Sequence, residues 1–201
     1  SWSERWQSSG VSPVYSTADN SLPPAPGPLF ASVVRIGVLS SMFLPASAGY
    51  ERHSTTSRLA PAYQALQEIN DKSDGVADSL LPRTRLVFRY EDAKCDSFYG
   101  LKGTLDLTTR AFDGQGVSAI IGADCSSASM AAAQAAGSLN VPLISSASTS
   151  PRLSDGQRYP YFLRTIPSDA FQVNVLVDVL QNLLGYTGVA LAYGSDAYGV
   201  S

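Results

Sequence analysis

The chain has 201 residues and a mass of 21.2 kDa, with 44% hydrophobic and 15% charged residues, a formal net charge of −3 and a pI near 5.0. That composition excludes wholesale disorder, which needs little apolar content and high charge. Eleven Arg and three Lys scattered among 17 carboxylates form no basic stripe for nucleic acid, and no window approaches the roughly 18 apolar residues of a membrane span.

Residues 1–32 are crowded with Ser, Pro and Gly, among them Pro23, Pro24, Pro26, Gly27 and Pro28. Such a stretch buries little surface and reads as a leader or linker. Beyond it the pattern alternates. Val33–Leu39 is a β-branched run and predicts a strand. Ser57 to Asp71 predicts a helix, with Pro61 near its first turn and Leu59, Ala62, Leu66 and Ile69 on one face. Arg85–Tyr90 reads as a strand. Ser97 to Phe112 reads as a helix with Phe98, Leu101, Leu105 and Phe112 as its apolar stripe. Val117–Ile121 reads as a strand of the buried type. Ser126 to Leu139 predicts an Ala-rich helix, and Val141–Ser145 a short strand. A Ser/Thr/Pro/Gly loop fills 146–160, followed by a strand at Tyr161–Thr165. Ser168 to Leu184 predicts a helix ended by Gly185 as a left-handed cap, and Thr187–Tyr193 a last strand. Phe98, Phe112 and Phe171 are expected in the core.

Alternating strands and helices imply a doubly wound, mainly parallel α/β sheet. Ligands bind such sheets at the carboxyl ends of the strands. The loops 40–57, 91–97, 122–127 and 145–151 would gather there. The chain begins at Ser1 rather than Met and stops within an expected strand-to-helix turn, so it reads as a segment of a longer protein.

Two of these loops are rich in hydroxyls. Gly122-Ala123-Asp124-Cys125-Ser126-Ser127 follows a strand and opens a helix. Free N–H groups and the positive end of the macrodipole make such a turn a place for a carboxylate. The competing reading is plain N-capping by Ser126 or Ser127. No Gly-Lys-Ser/Thr pairing supports a nucleotide loop. Ser145-Ser146-Ala147-Ser148-Thr149-Ser150-Pro151 follows the next strand and should lie beside the first cluster. It is either a polar turn bonding its own backbone or part of a shared small-ligand site. Cys95 and Cys125 are the only cysteines and fall on the same sheet edge. They would form a disulfide if the strands bring them together, or stand as two buried thiols. One histidine, His53, and two cysteines make a poor zinc set. The absence of a Gly-x-Ser-x-Gly elbow argues against a hydrolase. Tyr198 lies on the ligand edge after the last expected strand, where an aromatic could close over a ligand.

Residues 33–201 resemble the type I periplasmic-binding-protein-like "Venus flytrap" module. That module is shared by amino-acid ABC-transporter binding proteins, natriuretic-peptide-type receptor cyclases and class C G-protein-coupled receptors. Tyr90-Glu91-Asp92-Ala93-Lys94-Cys95-Asp96 is similar to the family's acidic segment ending in Cys. Gly122–Ser127 is similar to its partner Cys followed by carboxylate-binding serines. Ser148–Asp155 and Tyr159–Asp169 resemble the metabotropic glutamate and GABA-B receptors most closely. The resemblance implies 33–165 as an incomplete ligand-binding lobe 1 and 166–201 as the start of lobe 2. It implies a Cys95–Cys125 disulfide. It also implies that Ser126, Ser127 and Thr149 hold a ligand α-carboxylate, that Ala147 and Ser148 offer neighbouring contacts, that Asp169 pairs with the ligand ammonium, and that Tyr198 closes over the ligand. Asp124-Cys125 replaces the glutamate-type Gly, and Arg52 and Arg58 are only candidates for a distal-carboxylate cation. The implied protein is the extracellular part of a membrane-anchored receptor, dimeric through lobe 1, binding a small amino-acid-like ligand. Neither catalysis, cofactor, metal nor nucleic acid is implied. The alternatives are the periplasmic or secreted binding protein of an amino-acid transporter, or the ectodomain of a receptor guanylate cyclase.

Overall fold

The computed structural model describes residues 32–41, 53–195 and 197–200, with 53–59 given by backbone alone. The expected leader apart from Ser32, Arg52, the side chains of His53 and Arg58, and Asp196 lie outside the described residues. Five parallel strands form one sheet: β1 (Ser32–Ser40), β2 (Thr84–Asp92), β3 (Ala119–Gly122), β4 (Leu143–Ser145) and β5 (Phe162–Arg164). Their order is β2-β1-β3-β4-β5. The chain therefore leaves β1 to one side, returns across it to β3, and then winds the other way. A topological switch point opens between β1 and β3, the usual ligand crevice of an open α/β sheet.

Among the described residues four α-helices connect and follow the strands: α1 (His53–Asn70), α2 (Ser97–Leu105), α3 (Ser126–Ser138) and α4 (Asp169–Asp178). Strand alternation sends Leu39, Val87 and Ile120 to one face of the sheet, where they join Leu107, Phe112, Val117, Leu143 and the alanines 128, 132 and 136 of α3. The opposite face carries Val38, Phe88 and Tyr90, with Tyr63 of α1 edge-on to Phe88. On that second face Ile121 and Leu163 are exposed, so β3 is covered on one side only and not on both, as its unbroken apolar run suggested.

The expected stripe of α2 points outward. Phe98 is 66% exposed, and Leu101 and Leu105 are also exposed. The helix instead buries Gly100, Gly103 and Thr104. A Cβ at Gly100 would stand 2.6 Å from the Ala128 carbonyl oxygen, and one at Gly103 would stand 2.7 Å from Leu39. The approach is too close for large side chains, so the small ones go inside. After Leu105 the expected helix changes to a single π turn, Asp106–Arg110, with the Ala111 N–H donating to the Asp106 carbonyl. Leu107 and Phe112 thereby reach the core while Leu105 stays outside.

Two further expectations are corrected. Phe171 is not core: it is 70% exposed, and α4 has no buried residue. Thr187–Tyr193 forms no strand. A ladder needs a partner, and among the described residues none lies beside it. Gly185 does adopt the expected left-handed conformation, at φ +69°.

Gly100→Ala should lower the unfolding free energy by about 1–3 kcal/mol, the usual penalty for forcing volume into a packed contact. Gly156→Ala, with open space around it, should stay within about 0.5 kcal/mol. Urea titration of both variants measures this, and equal midpoints would mean that the α2–α3 contact has slack.

Candidate functional site

The carboxyl ends of β1 and β3 are tied by side chains. Ser40 Oγ donates to Asp124 Oδ2 at 2.5 Å, and the Ser41 N–H reaches the same oxygen at 3.0 Å. The buried Tyr90 hydroxyl and the Ala93 N–H both donate to the Ser40 carbonyl, at 2.9 Å each. Burial foremost, and then the negative charges of Asp92, Asp124 and Glu91, push the Tyr90 phenol far above its ordinary pKa. It therefore remains a neutral donor. Ser41 Oγ accepts the Cys95 N–H at 2.7 Å.

Cys95 and Cys125 form a disulfide, with Cα atoms 5.2 Å apart. β2 and β3 are not neighbours, because β1 lies between them. The loops rather than the strands bring the two cysteines together. Cys125 is the residue before α3 and makes no side-chain cap there. Neither Ser126 nor Ser127 caps the helix. Ser127 Oγ donates instead to the Cys95 carbonyl at 3.3 Å, and the buried Ser126 Oγ accepts the Ser150 N–H at 3.2 Å. The first turn of α3 thus faces the edge without a capping side chain.

Below it lies a hydroxyl cluster. Ser129, Ser145 and Ser148, all fully buried, converge on the Ala123 carbonyl at 3.0, 2.6 and 3.1 Å. Ser145 Oγ also accepts the N–H groups of Ala147 and Ser148. The Ser148 hydroxyl is therefore occupied inside the loop, while Ala147 is half-buried at its surface. These bonds shape the loop so that Thr149 meets the start of α4. Thr149 Oγ1 donates to Asp169 Oδ2 at 2.8 Å, and the Asp169 N–H returns to the Thr149 carbonyl at 2.9 Å. The Tyr198 hydroxyl stands 3.4 Å from Thr149 Oγ1. Ser168 caps α4 through the Ala170 N–H, and Asp169 occupies the first turn, where a carboxylate suits the helix dipole.

Thr149 therefore contacts both Asp169 and Tyr198, and Ser126 joins them through Ser150. Ser127 is turned toward the disulfide. Ser40, Ser41, Asp124 and Arg164 were not anticipated, although all sit at strand ends or in the loops after them. The Ser pair closing β1 and the Asp closing β3 were the available signal. Among the described residues no group of acidic, His or Cys side chains could hold a metal ion, and no helix is long and apolar enough to cross a membrane.

The sequence model of the family described as "receptor family ligand binding region" matches residues 59–201. The chain belongs to that family. Relatives of this ligand-binding region include glutamate receptor 3.7 of Arabidopsis thaliana, 38% identical over 130 residues, which are 65% of this chain and 13% of the relative. Metabotropic glutamate receptor 6 of Mus musculus is 30% identical over 167 residues, covering 72% of this chain and 18% of the receptor. The chain thus spans less than a fifth of these relatives. Among solved structures, the fold is similar to a branched-chain amino acid transporter substrate binding protein from Streptococcus pneumoniae in complex with isoleucine. The TM-score is 0.59 at 24% identity, over 76% of this chain and 39% of that one. The fold is accordingly that of a periplasmic binding protein.

Replacing both cysteines by alanine removes a cross-link between positions 30 apart in sequence. On the chain-entropy model this should cost about 3–4 kcal/mol of stability. Mass spectrometry of non-reduced, secreted protein should recover the Cys95–Cys125 peptide pair, and free thiols there would contradict the assignment.

Proposed function

We propose that this chain supplies lobe 1 and the first part of lobe 2 of a cell-surface receptor's extracellular region, and that the cleft between the lobes binds a small amino-acid-like ligand. The observation that carries this reading is the contact of Thr149, Asp169 and Tyr198 beside the uncapped first turn of α3. An amino acid presents a carboxylate and an ammonium a few ångströms apart. The carboxylate suits the hydroxyl and N–H of Ser126, the N–H of Ser127 and the Thr149 hydroxyl, with Ala147 and Ser148 shaping the neighbouring wall by their place in the loop. The ammonium suits Asp169. Tyr198 supplies an apolar ring with a polar tip to close over the ligand.

The Thr149 hydroxyl donates its one proton to Asp169. A ligand carboxylate replaces Asp169 as the acceptor of that proton, and the ligand ammonium takes up the Asp169 carboxylate released. The ligand thus replaces a contact that links the loop after β4 to the start of α4. Closure is favoured because the closed arrangement gains contacts only when the ligand is present.

The metabotropic relative supports a class C G-protein-coupled receptor. The match to a plant glutamate receptor favours a second reading, a receptor of that kind. Hydropathy of the full-length protein separates these from a soluble transporter component, which would carry no membrane-spanning segment. A homo- or heterodimer through lobe 1 is supported by the exposed row of Phe98, Leu101 and Leu105 on α2. Leu101→Glu should then shift the ectodomain toward monomer in sedimentation velocity, and an unchanged distribution would argue against that face.

Calorimetry of the complete ectodomain against the proteinogenic amino acids and γ-aminobutyrate should find at least one that binds. Binding by none would overturn the reading. For the one that binds, Ser126→Ala should weaken affinity by roughly 1–3 kcal/mol, the usual range for a hydrogen bond to a charged group. Asp169→Asn should weaken the amino acid more than its analogue lacking the amino group.

A further inference from the structure

Arg164 closes β5, and its side chain turns back onto the loop that carries Thr149. Nη1 donates to the Ser150 carbonyl at 3.0 Å and lies 3.5 Å from the Ser148 carbonyl, while Nη2 donates to Ser154 Oγ. The carbonyls of the two residues that flank Thr149 therefore answer to one planar cation. Its donors form a rigid fork, so holding the Ser150 carbonyl through Nη1 and Ser154 Oγ through Nη2 fixes direction as well as distance. The backbone of the gripping strand is itself fixed: Ser145 pairs with Arg164 in the parallel ladder, and the Thr165 N–H donates to the Ser145 carbonyl at 3.0 Å. The loop is held from its other side by Ser126 Oγ on the Ser150 N–H and by Ser145 Oγ on the Ser148 N–H. Arg164 is half-buried, and among the described residues no carboxylate lies within salt-bridge distance of it. Its hydrogen bonds go to this one loop.

We propose that Arg164 is a positioning residue for ligand binding: by holding the carbonyls of Ser148 and Ser150 it sets the direction of the Thr149 hydroxyl, and through it the affinity for the ligand carboxylate. The inference rests on the reading of Thr149 as a ligand contact. Arg164 itself touches no ligand in this scheme, so its substitution should act only through Thr149.

The test uses the complete ectodomain with Arg164→Gln and Arg164→Lys, each alone and combined with Thr149→Val. The probe is the amino acid of the calorimetric panel that binds the unsubstituted protein most tightly. Arg164→Gln should weaken it about tenfold, the equivalent of losing one charge-assisted hydrogen bond. Arg164→Lys, a point donor without the fork, should recover part of that loss. In the Thr149→Val background Arg164→Gln should weaken binding no further, because two residues acting through one contact are not additive. A second measurement needs no ligand: amide hydrogen exchange of 148–150 in the free protein should rise in Arg164→Gln, with β3 unchanged. Unchanged affinity, full additivity with Thr149→Val, unchanged exchange at 148–150, or a rise spread evenly over the whole sheet would each overturn the inference. If no amino acid binds the unsubstituted protein, the proposed function fails on its own account, and the exchange measurement still decides whether Arg164 grips the loop.

Discussion

Asp124 stands at the gap where the sheet changes its winding direction. One of its carboxylate oxygens takes the Ser40 hydroxyl and the Ser41 N–H, and so fastens the end of β1 to the loop after β3. Strands in a parallel ladder fix one another along their length but leave their carboxyl ends free to splay. Here a charge-assisted bond of 2.5 Å holds the two ends at the switch point. Ser41 passes the constraint on to the Cys95 N–H, and the disulfide returns it to the residue that opens α3. The direction of the α3 axis, and with it the position of its first-turn N–H groups, follows from that closed chain of bonds.

The second constraint is the closeness of α2 to α3 and β2. It is set by Gly100 and Gly103, whose missing side chains let the backbones approach. A tight, small-residue contact leaves the larger apolar side chains of α2 nowhere to go but outward. The same helix thereby serves the core with its glycines and threonine and offers a separate apolar row to its surroundings. α4 buries none of its apolar residues among the described ones, yet its first turn is held firmly against the hydroxyl loop by Thr149 and Asp169. Burial sets the chemistry at these points as well: Glu91, half-buried beside Asp106, is pushed upward by desolvation first and by that neighbouring charge second, with Lys102 and Arg89 opposing.

Much of the fold was legible from one dimension. The β-branched runs and the Ala-rich segment after Cys125 located five strands and the helices to within a few residues, because the periods of strand and helix are local properties. The adjacency of the two hydroxyl-rich loops was also legible, since it follows from consecutive parallel strands. The buried face of α2 was not. A stripe of Phe98, Leu101 and Leu105 and a pair of glycines three residues apart are both regular helical patterns, and only the distance to α3 decides which is inside. The strand expected at Thr187–Tyr193 failed for a related reason: its propensity is local, but a strand exists only where a neighbour takes its hydrogen bonds.

The residue types at the site were likewise in the sequence, and their partners were not. Ser126, Thr149, Asp169 and Tyr198 could each be named from position and resemblance, because hydroxyls, a carboxylate and an aromatic at strand ends suit an amino-acid-like ligand. That Ser126 serves Ser150, that Ser148 is spent on the Ala123 carbonyl, and that Arg164 reaches back to the Thr149 loop could not be read there. Hydrogen bonds across 14 to 25 positions depend on where the sheet brings the loops. The sequence by itself determined the alternation of elements and the hydroxyl-rich edge, which follow from short-range pattern, and the family, which its motifs resemble. Tertiary structure alone decided which apolar face is buried and which side chains hold the loops in place, because both depend on distances between segments far apart in the chain.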